Sequence, residues 1–315
     1  MPKKIMILGA CGQIGTELTL ALRNRFGVES VIACDIREGK PELMESGPFQ
    51  ILDATDARAL EDTLEKHDVG QLYLMAAMLS ATAEQFPSGA WELNMNSLLH
   101  ALGLAREGKI SKLFWPSSIA VFGPSTPKEN TPQSTITEPT TVYGISKLAG
   151  EGWCAYYQRK YGVDVRSVRY PGLISWKTQP GGGTTDYAVD IYRQALKSGT
   201  YECFVKEDTR LPMMYMEDAI KGTLQLMEAP PDQLTVRTSY NLGAMSFTPA
   251  QMAESIRAHI PDFQITYAPD YRQEIADTWP ESMDDSKARE DWGWNPRFGL
   301  EETTKEMLER LRDGY

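Results

Sequence analysis

Tyr143 and Lys147 stand four residues apart in Tyr143-Gly144-Ile145-Ser146-Lys147, a spacing that puts a phenol and an ammonium on one face of a helix. A cation beside a phenol favours the phenolate and draws its pKa down from about 10, so such a pair can exchange protons nearer neutral pH. Taken alone, a Tyr and a Lys at this spacing describe a solvated surface pair just as well. Upstream, Ser117 and Ser118 follow Phe114-Trp115-Pro116. At the C-terminal edge of a parallel strand, one of these hydroxyls would meet the phenol, while the other suits a local backbone bond.

A second chemical signal lies at the N-terminus. The apolar run Lys4–Leu8 feeds into Gly9-Ala10-Cys11-Gly12-Gln13-Ile14-Gly15. In a strand-to-helix turn Gly9 permits the tight bend, Gly12 lets the backbone approach a pyrophosphate, and Gly15 lets helix and strand touch. The amides of the helix start at Gln13 and Ile14 then face the phosphate charge. Asp35 falls where the next strand ends, at the distance expected for a carboxylate that accepts from the adenine ribose hydroxyls and repels a 2′-phosphate. The pattern predicts NAD rather than NADP, a preference that Arg37 would soften. Asp53 suits either an acceptor for the adenine amino group or a turn acid. Ala76 and Ala77, after a fourth strand, suit either close backbone approach to the ribose and nicotinamide or ordinary helix–sheet packing.

These residues need a scaffold, and the chain alternates short apolar runs with longer amphipathic stretches, as a parallel sheet with crossover helices does. Strands are expected at Lys4–Leu8, Val28–Asp35, Phe49–Leu52, Gln71–Met75, Lys112–Pro116 and Val165–Arg169. Helices are expected at Ile14–Phe26, Ala57–His67, Ala90–Glu107 and Val142–Tyr161. The fold class is α/β, a doubly wound Rossmann sheet with a smaller C-terminal substrate lobe. Residues 1–170 and 212–248 are expected to form the dinucleotide-binding domain, with Tyr240–Gly243 returning to the main sheet. Residues 171–211 and 249–315 are expected to form the lobe, opening on the flexible Gln179–Thr185 loop and holding a helix at Pro249–His259, a strand at Gln264–Tyr267 and a helix at Leu300–Arg312.

Composition narrows the partners. The 315 residues carry 43 acidic against 32 basic side chains and a net charge of −11, which argues against nucleic acid. The opening apolar run is too short for a signal peptide or a membrane span, so a cytoplasmic address is expected. Cys11, Cys34, Cys154 and Cys203 lack paired spacing, and His67, His100 and His259 form no ligand motif, so no metal site is expected.

In combination, Gly9-x-x-Gly12-x-x-Gly15, Ser118-Ile119-Ala120-Val121-Phe122-Gly123, Tyr143-x-x-x-Lys147 and Arg169-Tyr170-Pro171-Gly172 resemble the extended short-chain dehydrogenases/reductases. That group contains the NAD-dependent epimerases and dehydratases, and the likeness runs over nearly the whole chain. It implies Ser118 rather than Ser117 as the catalytic hydroxyl, Tyr143 as acid/base with Lys147 as partner, and Tyr170 and Pro171 beside the cofactor. Met75–Ala81, Tyr170–Trp176, Gly181–Tyr187 and Asp291–Trp294 are similar to the L-threonine 3-dehydrogenase branch. The resemblance implies oxidation of L-threonine at its β-carbon to 2-amino-3-oxobutanoate.

For such a zwitterion Ser80, Thr184 and Thr185 are candidate pocket hydroxyls, local turns being the other reading of them. Trp279, in Trp279-Pro280-Glu281-Ser282, is a candidate lid over the substrate, an exposed aromatic at a lobe interface being the other reading of it. A homodimer through the Ala90–Glu107 and Val142–Tyr161 helices is expected, although their apolar stripes suit burial within one chain too. Two other readings stay open: a nucleotide-sugar epimerase or dehydratase with the same cofactor site, and an NAD-binding sensor that does not turn over.

Overall fold

The computed structural model describes residues 3–177, 179–181 and 183–313. Gly182, within the expected flexible loop, lies outside them. Strands Lys4–Leu8, Val31–Asp35, Phe49–Ile51, Val69–Leu74, Lys112–Phe114 and Val165–Arg166 form a six-stranded parallel sheet. The first of them sits near the centre, flanked by the second and fourth. Its residues Met6, Ile7 and Leu8 are fully buried, with Met6 and Leu8 in one hydrophobic cluster and Ile7 in another. A strand buried on both faces is what a continuous apolar run without alternation produces.

The edge that bears the candidate site is made by two strands that break and resume. Lys112–Phe114 ends where Pro116 has no amide to give, and the chain resumes pairing as Ser117–Ser118. Val165–Arg166 resumes as Val168–Tyr170, which pairs in parallel with Ser117–Ser118 on one side and Tyr240–Asn241 on the other. Tyr240–Asn241 thus joins a three-stranded sheet with Val168–Tyr170 and Ser117–Ser118 beyond the break, rather than the six-stranded sheet to which residues 240–243 are expected to return. The expected continuous strands Lys112–Pro116 and Val165–Arg169 are corrected accordingly. Val28–Asp35 is shorter than expected as well: after Gly27, at φ +92°, residues Val28–Ser30 form a 3₁₀ turn and the strand starts at Val31.

The helix Val142–Tyr161 has the expected bounds. Thr141 Oγ1 accepts from the Gly144 amide at its start and Gly162, in the left-handed region, ends it. The Ala90–Glu107 helix is a correction. The rod begins at Pro87, widens into a π-helical turn over Glu92–Asn96 and continues as Ser97–Arg106. Asn94 occupies that wide turn and hydrogen-bonds both backbone groups of Met78, a tertiary contact that periodicity does not register.

Beyond Pro171, Gly172–Ile174 and Leu211–Tyr215 pair in parallel, and Met245–Phe247 joins antiparallel. Leu211, Met213 and Tyr215 pack in the cluster with Tyr187, Tyr192, Phe263 and Leu308, whereas Met214 faces the cluster of Met216 and Trp294. One strand with two buried faces therefore joins the two cores. Thr200–Cys203 pairs with Gln264–Tyr267 as a separate two-stranded ribbon. Among the described residues no helix is long and apolar enough to cross a membrane.

Candidate active site

The glycine turn is built as its spacing requires. Gly9 sits at φ +94°, and a methyl group there would collide with the backbone nitrogen of Ala76; one at Gly15 would collide with the Gly9 carbonyl oxygen. Both contacts press loop, helix and fourth strand together so that the amides at the start of helix Gln13–Phe26 open toward a cleft. Asp35 Oδ2 accepts from the Cys11 amide at 2.8 Å, which fixes the carboxylate at the end of its strand. Asp35, Arg37, Asp53, Ala76 and Ala77 line one cavity together with Gly9 and Gly12. Asp53 also makes the turn that its alternative reading described: its Oδ1 accepts from the amide and hydroxyl of Thr55, each at 2.8 Å.

A neighbouring cavity continues from the same glycines. Gly9, Gly12, Gln13, Ile14, Gly15 and Ala77 form its dinucleotide side, with Tyr170 and Pro171 beside them. Ser118, Tyr143 and Lys147 form its far wall, and Ser80, Thr184, Thr185 and Trp279 complete it. Every residue expected at the site therefore lines one of two cavities that share Gly9, Gly12 and Ala77. Tyr170 contributes backbone and ring, because its hydroxyl pairs with Thr223 in the interior. Trp279 is buried rather than exposed. Its segment is tied down by hydrogen bonds from Glu281 and Ser282 to the Lys128 carbonyl and from Thr131 to the Ser282 carbonyl.

Ser118 Oγ accepts from the Ala120 amide at 3.2 Å and lines the same cavity as Tyr143. Ser117, the other serine, donates to Glu151 Oε1 at 2.6 Å in a buried contact. Lys147 Nζ donates to the Pro116 carbonyl at 2.6 Å, lies 5.5 Å from the centre of the Tyr143 ring and 4.5 Å from that of Trp115.

The electrostatics amend the expectation of a lowered phenol pKa. Burial pushes Tyr143 up to about 12, opposed by Ser118. Burial pulls Lys147 down to about 7, opposed by Cys154 and Glu151. The cation points at a carbonyl rather than at the phenolic oxygen, and burial of the phenol is the larger influence on it.

Two residues that shape the site escape motif reading. Asn94 ties the Met78 backbone to the Val142–Tyr161 helix through Ser146 Oγ, at 3.1 Å, and so holds the loop between Ala77 and Ser80. The π turn that aims it has no sequence mark. Glu151 lies eight residues after Tyr143 and forms a bidentate pair with Arg169, at 2.9 and 2.7 Å. Its repeat of the four-residue spacing was the available signal.

The donor set fits a dinucleotide: a glycine turn packed too closely for side chains at Gly9 and Gly15, helix amides that suit a pyrophosphate, and a carboxylate at the end of the next strand that suits a ribose. A model of the NAD-dependent epimerase/dehydratase family matches residues 5–243. An uncharacterized epimerase/dehydratase from Staphylococcus saprophyticus is 52% identical over 311 residues, covering 98% of this chain and 97% of its own. The holo form of an L-threonine dehydrogenase from Cupriavidus necator is 58% identical, with a TM-score of 0.95 over 98% of this chain and 99% of that one. A monomeric L-threonine 3-dehydrogenase from a metagenome, in apo form, is 49% identical, with a TM-score of 0.94 over 98% and 99%.

Proposed function

Because the chain belongs to the NAD-dependent epimerase/dehydratase family and takes NAD as its cofactor, we propose that it oxidises L-threonine at the β-hydroxyl to 2-amino-3-oxobutanoate. The coarser statement, an NAD-dependent oxidoreductase, stands on the family and on its structural neighbours. The observation that carries the finer one is the chemistry of the cavity wall. Beside Tyr143 and Ser118 it offers the hydroxyls of Ser80, Thr184 and Thr185, and among its described residues Lys147 is the single cation. Hydroxyls and amides suit the carboxylate and ammonium of a small zwitterion, whereas a sugar diphosphate calls for arginines.

When bound, NAD supplies the hydride acceptor and a positive ring charge. Ser118 Oγ orients the substrate hydroxyl toward Tyr143, and Tyr143 Oη as phenolate takes its proton as the β C–H pair leaves as hydride. Lys147, on the same helix face, supplies the charge that favours the phenolate. Ser80, Thr184 and Thr185 hold the amino-acid end, and buried Trp279 keeps water from the reacting carbon. In this reading residues 1–170 and 212–248 carry the cofactor and the remainder carries the substrate.

We further propose that a second copy of this chain covers the outer face of Val142–Tyr161. There Ile145 is 48% exposed, and Trp153, 40% exposed, shares a shallow apolar surface with Ala149, Gly152 and Tyr156.

The test is NADH formation, followed by absorbance, with L-threonine, other amino acids and UDP- or dTDP-sugars. Turnover with threonine is the expected result. An epimerase or dehydratase returns its hydride and leaves no net NADH, so conversion of the sugar nucleotides alone, followed by chromatography, would make the chain one of these, and NAD binding with neither readout would make it a sensor.

A further inference from the structure

Behind the reacting groups lies a buried carboxylate that the reaction itself does not touch. Tyr143, Lys147 and Glu151 follow one another at four-residue steps along one helix, and Lys147, Glu151, Ser117 and Arg169 are all less than 5% exposed. The dipeptide Pro116-Ser117 is gripped from both sides: Lys147 Nζ donates to the Pro116 carbonyl, and Glu151 Oε1 accepts from Ser117 Oγ. Ser118, the next residue, takes its place from that grip. Arg169 closes the cluster, donating to both Glu151 oxygens and, from Nη1, to Asn241 Oδ1 and the Gln133 carbonyl.

We propose that Glu151 is a positioning residue that acts through Lys147, its buried negative charge keeping the ammonium protonated and its hydrogen bond to Ser117 holding the strand end that Lys147 and Ser118 share. This rests on the dehydrogenase reading for its consequence in catalysis, though not for its electrostatics. Three arguments carry it. First, a buried ammonium with one carbonyl acceptor and two flanking aromatic rings is short of compensation, and Glu151 is the carboxylate one turn away. Second, the other group on this helix that opposes the loss of the Lys147 proton is Cys154. Burial drives that thiol far above its ordinary pKa, so it carries no charge in the working range and leaves the task to Glu151. Third, Arg169 and Ser117 engage both carboxylate oxygens, so the buried carboxylate is fully hydrogen-bonded and held in place beside Lys147 on the helix. The groups facing Lys147 are thus Tyr143, Glu151 and Cys154 from its own helix, the Pro116 carbonyl and Trp115 ring from the strand end, and Arg169 behind Glu151.

The full-length protein labelled with 13Cε-lysine tests this directly, the Lys147 signal being the one missing in Lys147→Met. Its titration midpoint is expected to fall by about one pH unit or more in Glu151→Gln and by less in Glu151→Asp, which keeps the charge. An unchanged midpoint in a folded variant overturns the proposal. Should Glu151→Gln not fold, Glu151→Gln joined to Arg169→Met leaves no unpaired buried charge and carries the same test, an unmoved midpoint again overturning the proposal. In turnover, Glu151→Gln is expected to move the pH profile of kcat/KM and to leave it unmoved in a Lys147→Met background. A lower kcat with an unmoved profile would reduce Glu151 to packing and overturn the proposal. The NMR arm needs no substrate, so failure of the threonine reading and failure of this one are separately visible.

Discussion

Lys147 Nζ is hydrogen-bonded to the Pro116 carbonyl at 2.6 Å, so the cation that serves the phenol is anchored to the strand end carrying Ser118. Its folded pKa of about 7 lies below the ordinary lysine value of 10.5. Between these values the unfolded chain holds a proton that the folded chain does not, so this group's contribution to stability rises as pH goes up from about 7 to about 10.5. Lys147→Met is expected to stabilise the free protein by about 1–3 kcal/mol at pH 6, with the gain shrinking toward pH 10. Thermal unfolding across that range is the measurement, and a gain that grows with pH would contradict the buried ammonium.

Burial pushes Tyr143 up to about 12, so in the free site it is a neutral phenol at pH 7. Tyr143→Phe is expected to lower kcat by about 10²–10⁴-fold while NADH affinity, read by fluorescence titration, stays within a few-fold of the parent. Turnover near the parent's level would remove the proposed base.

Asp35 faces the ribose end of its cavity with one oxygen engaged by Cys11. Asp35→Ala is expected to weaken NAD and to narrow its advantage over NADP, because the acceptor for the ribose hydroxyls and the repulsion of a 2′-phosphate vanish together. Steady-state kinetics with both cofactors decides the point. An unaltered ratio would show the carboxylate serving only the glycine loop.

Trp153 stands 40% exposed on the outer face of the Val142–Tyr161 helix. If two copies meet there, Trp153→Arg is expected to convert a dimer to a monomer in light scattering at micromolar concentration, since a twofold contact would set two arginines against one another. A monomeric parent protein would dispose of the proposed interface.

Much of the site is legible in the amino-acid sequence because its chemistry depends on short-range spacing. Gly9, Gly12 and Gly15 belong to one turn, Tyr143 and Lys147 to one helix face, and both patterns follow from backbone geometry alone. The central strands are equally readable, since a strand buried on both faces is written as an apolar run. The strands Leu211–Tyr215 and Met245–Phe247 are not, because their partners lie far off in sequence and their short mixed runs carry no period.

By themselves the residues determined which groups could react: a phenol and a cation one turn apart, a hydroxyl at a strand end, and a carboxylate at the ribose position. Only the tertiary structure decided their state. It aimed Lys147 at Pro116, engaged Ser117 with Glu151 and left Ser118 for Tyr143, and it aimed Asn94 by a widened helical turn. Spacing fixes which side chains share a face, but burial and long-range hydrogen bonds set where each proton rests, and those arise when distant segments pack together.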